Sequence, residues 1–162
     1  MTRAYIDIET TGLSRQNHDL TVIGVGRENN GTIEVVQLFD SALNKKSLIN
    51  SLDGVTELYS YNGARFDLPF IHAKFDINLK SLYKHNDLMF TCWKKKLKGG
   101  MKSVEQQLGI KRNLKDVDGY MAVLLYYDYI NNGNKAALET LLEYNKEDVV
   151  NLHFMRTLLG VE

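Results

Sequence analysis

Apolar and polar positions alternate along the first forty residues. The segment Ala4-Tyr5-Ile6-Asp7-Ile8 alternates, is rich in β formers and predicts a strand, which Thr11-Gly12-Leu13 breaks. Residues 20–27 and 32–39 predict two more strands. The Asn29-Asn30-Gly31 between them is a turn, its Asn-Gly pair being common hairpin chemistry. Three strands in close succession suggest an antiparallel meander. The pattern then turns helical over residues 41–52, with Leu43, Leu48, Ile49 and Leu52 as the apolar stripe. A short strand at 57–60 and an Asn62-Gly63 turn follow. Residues 67–74 predict a helix with Pro69 in its first turn, where a missing N–H costs little. A weaker strand pattern covers 85–88. The remainder predicts helices over 90–97, 103–108, 119–130 and 135–159. Ser103-Val104-Glu105-Gln106 has the spacing of a capping box, and Gly109 stands where a helix would end.

Strands gather at the front and helices at the back, without repeats, low-complexity tracts or a Pro-rich linker. That order predicts one α/β domain over residues 1–162, a mixed sheet flanked by helices. The chain carries 20 basic and 20 acidic residues, so it is not a binder that works through bulk positive charge. Its one cysteine, Cys92, excludes a disulfide framework within the chain and fits a reducing, cytoplasmic setting. Apolar runs are only a few residues long, so no membrane span is expected.

The chemistry lies in carboxylates. Asp7 and Glu9 are two apart on a strand, so both leave the same face, while Ile6 and Ile8 face apolar packing. Like charges so close raise each other's pKa unless a cation stands between them, and a hard divalent ion is the simplest one. Solvated acids at a strand end explain the pair equally well. Asp67 falls at a predicted helix start, where capping by Asp is by itself the favoured explanation. Tyr144 and Asp148 are four apart and share a helix face flanked by Leu141, Val149 and Leu152. A carboxylate there needs a partner or a metal; a hydrogen bond from a buried tyrosine is the plainer option.

Together the three segments resemble the DEDD exonucleases of the ribonuclease-H-like superfamily. Tyr5-Ile6-Asp7-Ile8-Glu9-Thr10-Thr11-Gly12-Leu13 is similar to the family's D-x-E motif with its T-G-L continuation. Asn62-Gly63-Ala64-Arg65-Phe66-Asp67 is similar to the second motif, and Tyr144-Asn145-Lys146-Glu147-Asp148 to the third in its Y-x-x-x-D form. The histidine subtype would need His at position 143, which is Glu143, so the tyrosine subtype is the better match. The four histidines are then structural or on the surface. Asp87-Leu88, the segment 103–110, Asp118-Gly119 and the segment 144–152 further resemble YprB-like predicted exonuclease domains, where His often stands in place of Tyr144.

The resemblance implies a ribonuclease-H-like fold with a mixed five-stranded sheet, three antiparallel strands followed by parallel ones, and helices on both faces. It implies a 3′→5′ exonuclease that hydrolyses single-stranded DNA or RNA, or a frayed 3′ end, to nucleoside 5′-monophosphates. Two Mg²⁺ or Mn²⁺ ions would be held by Asp7, Glu9, Asp67 and Asp148, with Tyr144 orienting a water. Thr10, Gly12 and Leu13 match positions that touch the terminal nucleotide in similar enzymes, and Asn62 and Phe66 are expected to approach the strand. Ordinary packing is the alternative for Leu13 and Phe66. The basic run Lys94, Lys95, Lys96, Lys98 and Lys102 is either a phosphate contact or a solvated helix end. Trp93, Tyr126, Tyr127 and Tyr129 are expected to pack rather than stack on bases. Three other readings stay open: a binding module without catalysis, a metal-dependent endonuclease, and a subunit active only with a polymerase or helicase partner.

Overall fold

β1 (Arg3–Thr10) runs through the centre of the sheet, and its alternate residues enter two separate apolar layers. The computed structural model describes residues 1–162. β2 (Leu20–Asn29) lies antiparallel to β1, and β3 (Thr32–Phe39) antiparallel to β2. On the other side of β1, β4 (Glu57–Ser60) and then β5 (Lys84–Asp87) pair in parallel. The order β3-β2-β1-β4-β5 is the mixed five-stranded sheet that was expected. Asn30 and Gly31 close the β2–β3 hairpin with φ of 49° and 80°, the primed turn that follows strand twist.

Seven helices complete the chain: α1 (Lys45–Ser51), α2 (Asp67–Phe75), α3 (Leu79–Leu82), α4 (Leu88–Lys94), α5 (Met101–Leu108), α6 (Gly119–Asn132) and α7 (Lys135–Leu159). Ala4, Ile6 and Ile8 pack with Leu48 of α1 and with Leu68 and Ile71 of α2. Tyr5 and Tyr59 pack on the opposite face, with Cys92 of α4, Val104 of α5, and Val149 and Leu152 of α7. The period of two therefore sends Asp7 and Glu9 to the α7 side.

α7 reaches the sheet only because β2 carries glycine opposite β1. Gly24 pairs with Asp7 and Gly26 with Tyr5. A Cβ at Gly24 would lie 2.4 Å from Asn145 Oδ1, and one at Gly26 would lie 2.6 Å from Val149 Cγ1. Close approach of a helix backbone to a strand is a recurrent use of strand glycine.

Several boundaries differ from the sequence expectation. The helix over 41–52 is a 3₁₀ turn (Asp40–Ala42) followed by α1, because the Asn44 side chain accepts from Ser47 N at 2.9 Å and restarts the helix there. Ile49 is exposed, while Leu48 and Leu52 are buried and the partly buried Leu43 packs against the same core. α5 starts two residues before Ser103 on a Gly100 cap; Ser103 lies inside the helix and is no capping box. Asp87 accepts from Met89 N at 3.1 Å and starts α4 earlier than expected. The four-residue α3 is too short to show a period and was not anticipated. No helix is long and apolar enough to cross a membrane.

Candidate metal centre

Asp7 and Glu9 from β1 and Asp148 from α7 converge, with carboxylate oxygens all within 4.8 Å of one another. The strand register shifts between Glu9 and Thr10, a bulge of the kind that re-aims side chains beside functional sites. Asn145, one turn before Asp148, donates from Nδ2 to the Asp7 carbonyl and to Asp7 Oδ2, each at 3.1 Å. Gln37 Nε2 donates to Asn145 Oδ1 at 2.9 Å, which sets the direction of that amide.

Asp67 stands one step back. It does not cap its own helix: Phe66 holds the cap position without a side-chain bond, and Asp67 Oδ2 accepts from Ile8 N at 3.1 Å. The acid is thus docked on the backbone of β1, between the residues that carry Asp7 and Glu9. The turn leading to it is pinned by Asp87, which accepts from Asn62 N at 2.8 Å and Ala64 N at 3.1 Å.

Burial, then Asp148, Glu9 and Asp67 in that order, push the Asp7 carboxyl well above its ordinary range. Burial followed by Asp148 and Asp67 does the same to Glu9. Burial pushes Asp67 up to about 7 against the opposing Ile8 N–H. Asp148 is also raised by burial, with Arg112 opposing. Acids held towards their neutral forms by burial, and three of them also by other acids of the site, form a site short of positive charge. The donor set is oxygen only and within reach of a single ion, which fits Mg²⁺ or Mn²⁺.

A pH-dependent stability follows. Raised folded-state values mean that the unfolded chain gives up these protons first, so the metal-free protein should lose stability as pH rises from about 4 towards 8. Saturating Mg²⁺ or Mn²⁺ at about 100 times Kd should restore about 2.7 kcal/mol. That is roughly 5–10 °C in melting temperature for a chain of this size. The gain should be larger at pH 8 than at pH 5, where protons compete. Calorimetric scans in EDTA and in each metal measure it; coincident melts at pH 8 would remove the metal site.

One cation is built in. Arg112, on the loop between α5 and α6, is buried among three carboxylates. Its Nε and Nη2 donate to Glu105 at 2.5 and 2.8 Å, Nη2 also donates to Asp148 Oδ1, and Nη1 lies 3.8 Å from Glu147. Glu147 in turn accepts from Asn113 N at 3.0 Å and Leu114 N at 3.2 Å. The loop is therefore tied to α7 at the residue beside Asp148. Sequence reasoning missed Arg112, which lies 36 residues from Asp148 with nothing local to mark it. Asn145 and Glu147 sat inside a recognised motif without an assigned role.

Tyr144 lines the site beneath Lys102, whose Nζ lies 5.0 Å from the ring centre. Burial and then Asp148, Glu9 and Asp7 push its phenol up, so the hydroxyl stays protonated. The acids form one wall of a 610 Å³ cleft. Thr10, Gly12, Leu13, Phe66 and Tyr120 supply others. Leu13 is 86% exposed at its rim. Thr10 Oγ1 donates to the Gly12 carbonyl at 2.6 Å. Gly12 lies flat against the His18 ring, which a Cβ would approach to 2.6 Å. Asn62, by contrast, does not line the cleft, and its backbone N–H donates to Asp87.

The other sequence candidates fall outside it. Lys94, Lys95, Lys96 and Lys98 are exposed and line neither recess beside the acids; only Lys102 of that run does. Tyr129 donates to Asp40 at 2.6 Å, Tyr126 packs partly into the core, and Trp93 stands edge-on to Phe90 under Arg65. His72 is exposed, His85 pairs with Ser60 at 2.8 Å, and His153 lies 3.3 Å from the Tyr5 hydroxyl. The histidines are structural or on the surface, as expected.

Comparison with known proteins adds to this geometry. Residues 4–160 match a family model described as RNase_H superfamily. The protein YprB of Bacillus subtilis (strain 168) is 30% identical over 164 residues, covering 91% of this chain and 39% of that protein. The chain thus spans about two fifths of this relative's length. Among solved structures, a nuclease in its apo form superposes with a TM-score of 0.64 at 20% identity, covering 98% of this chain and 71% of that one. NrnC of Brucella melitensis superposes with a TM-score of 0.61, again at 20% identity and the same coverage. At these identities the superpositions establish the fold.

Proposed function

Because the chain belongs to the RNase_H superfamily, we propose that it is a divalent-metal-dependent 3′→5′ exonuclease acting on single-stranded DNA or RNA. One observation carries the reading: three carboxylates from two distant segments share a single ion-sized space at the wall of a nucleotide-sized cleft. A purely structural role leaves that arrangement unexplained, since it costs stability without a cation. On the same fold, NrnC is solved with Mg²⁺ and with pGG, which supports this class of ligand here.

Asp7, Glu9 and Asp148 would hold Mg²⁺ or Mn²⁺, with Asp67 behind them for a second ion, directly or through water. Bound there, the ions would supply a water of lowered pKa and stabilise the leaving 3′ oxygen. The chain's own groups do the rest. Asn145 holds Asp7 in place, and Arg112 and Glu147 hold Asp148 and its loop. The protonated Tyr144 hydroxyl orients the attacking water. Leu13 and Phe66 receive the terminal base, while the Thr10–Gly12 turn keeps Leu13 at the rim.

The test uses 5′-labelled single-stranded DNA and RNA of one sequence, with a circular strand alongside, in Mn²⁺, Mg²⁺ and EDTA. A metal-dependent ladder shortening from the 3′ end, with the circle intact, is the expected result. A cleaved circle would make the protein an endonuclease. No cleavage by the folded, metal-bound protein would leave a binding module or a partner-activated subunit.

A further inference from the structure

The cleft continues past the acids. Asp7, Tyr144 and Asp148 also wall a second recess of 360 Å³, whose far side is the start of α5 with Lys102. Lys102 and Arg112 are in turn shared with a third recess of 440 Å³, which adds Lys111 and Lys115. Through these shared walls the three spaces adjoin in a row, a groove in which Asp7 and Asp148 stand between the first space and the second, and Lys102 and Arg112 between the second and the third. Its two ends differ in chemistry. The 610 Å³ end has Leu13, Phe66 and Tyr120 and not one basic side chain among its walls. The 440 Å³ end has four basic side chains and one acid, Glu105, which Arg112 already pairs. In a chain with no net charge, this is a local concentration and not background. Lys111 and Lys115 are both exposed, and neither makes an ion pair within the protein.

Resting on the exonuclease reading above, we infer that a single-stranded polynucleotide lies along the whole groove in one direction. Its terminal base sits against Leu13, Phe66 and Tyr120, and its first internucleotide phosphate lies over the acids. The phosphates that follow run past Lys102 to Lys111 and Lys115. The reverse orientation would set several phosphates against the end that offers no cation. Flat apolar bases and anionic phosphates thus sort to opposite ends of the groove. The contacts with Lys111 and Lys115 read backbone charge and give no sequence preference.

The test is the double charge reversal K111E/K115E in the full chain, with K94E/K95E as the control on the exposed basic run outside the groove. Binding of a fluorescein-labelled twelve-nucleotide thymidylate strand is followed by anisotropy in EDTA across a salt series. K111E/K115E should bind about tenfold or more weakly at low salt, and its log–log salt slope should fall by about 1.4, two single-strand phosphate contacts at about 0.7 each. The ratio of kcat/KM on the twelve-nucleotide strand to that on a dinucleotide, too short to reach these lysines, should fall by a similar factor. K94E/K95E should leave both quantities near the wild type. Three results would overturn the groove: no binding by the wild type, K111E/K115E within twofold of it, or an equal loss in K94E/K95E. A wild type that binds through Lys111 and Lys115 but cuts nothing would overturn the exonuclease and keep the groove. Cutting that ignores these lysines would do the opposite.

Discussion

The Asp7→Asn variant is expected to melt higher than the wild type in EDTA and to have lost hydrolysis. Asp7 is pressed by burial and by three neighbouring acids, so its carboxylate weakens the metal-free fold. Asparagine keeps an oxygen to accept from Asn145 and removes the charge. The gain should be about 1 kcal/mol at pH 8, in the range typical of relieving one functional-site strain, or roughly 2–4 °C. The same change removes a carboxylate of the proposed metal site, and with it charge stabilisation worth about a thousandfold in kcat. The metal-induced rise in melting temperature should shrink in parallel. Melting curves with and without Mn²⁺, beside the labelled-strand assay, read all three effects. A variant that is less stable in EDTA and still binds Mn²⁺ as the wild type does would refute the assignment of Asp7.

Arg112→Met is the change expected to cost most stability. Glu105 is 1% exposed, and Arg112 is the cation that pairs it. Breaking a buried pair by removing one partner typically costs about 3–5 kcal/mol, because the remaining charge stays buried. A melting temperature roughly 10 °C or more lower is the expected readout. Adding Glu105→Gln should recover part of the loss, since an amide tolerates that pocket better than an unpaired carboxylate. Saturating Mg²⁺ should recover another part, through Asp148, which Arg112 also holds. Denaturant titrations of the single and double variants separate the two contributions. A single variant within about 1 kcal/mol of the wild type, or a double variant no better than the single, would show that the guanidinium is not the clamp described here.

Much of this protein was legible along the chain. β1, β2, β3 and α7 were placed from their patterns, and the apolar side of β1 at Ile6 and Ile8 and the buried face of α7 at Leu141, Val149 and Leu152 were assigned correctly. Asp7, Glu9, Asp67 and Asp148 were picked out because each sits in a short local motif. The failures are of two kinds. Boundaries moved where a single side chain set a cap, Asn44 for α1 and Asp87 for α4, and where the backbone of Gly100, with no side-chain bond, opened α5 ahead of Ser103. Roles changed where a side chain found a distant partner. Asp67 was weighed as a helix cap, yet it binds Ile8 N, 59 residues away.

The local order of residues was enough to choose the class of fold and to nominate the acids. Periodicity and motif spacing act over a few residues, and both are written in the chain itself. Everything that turns the acids into a site depends on contacts between remote segments. Asn145 reaches Asp7 across 138 residues, Arg112 reaches Asp148 across 36, and Gly24 opens the space in which the first of these bonds forms. The groove that joins Leu13 to Lys115 exists only once β1, α5, α6 and α7 have packed. Such contacts follow from the packing of whole elements against one another, which no short stretch of sequence specifies.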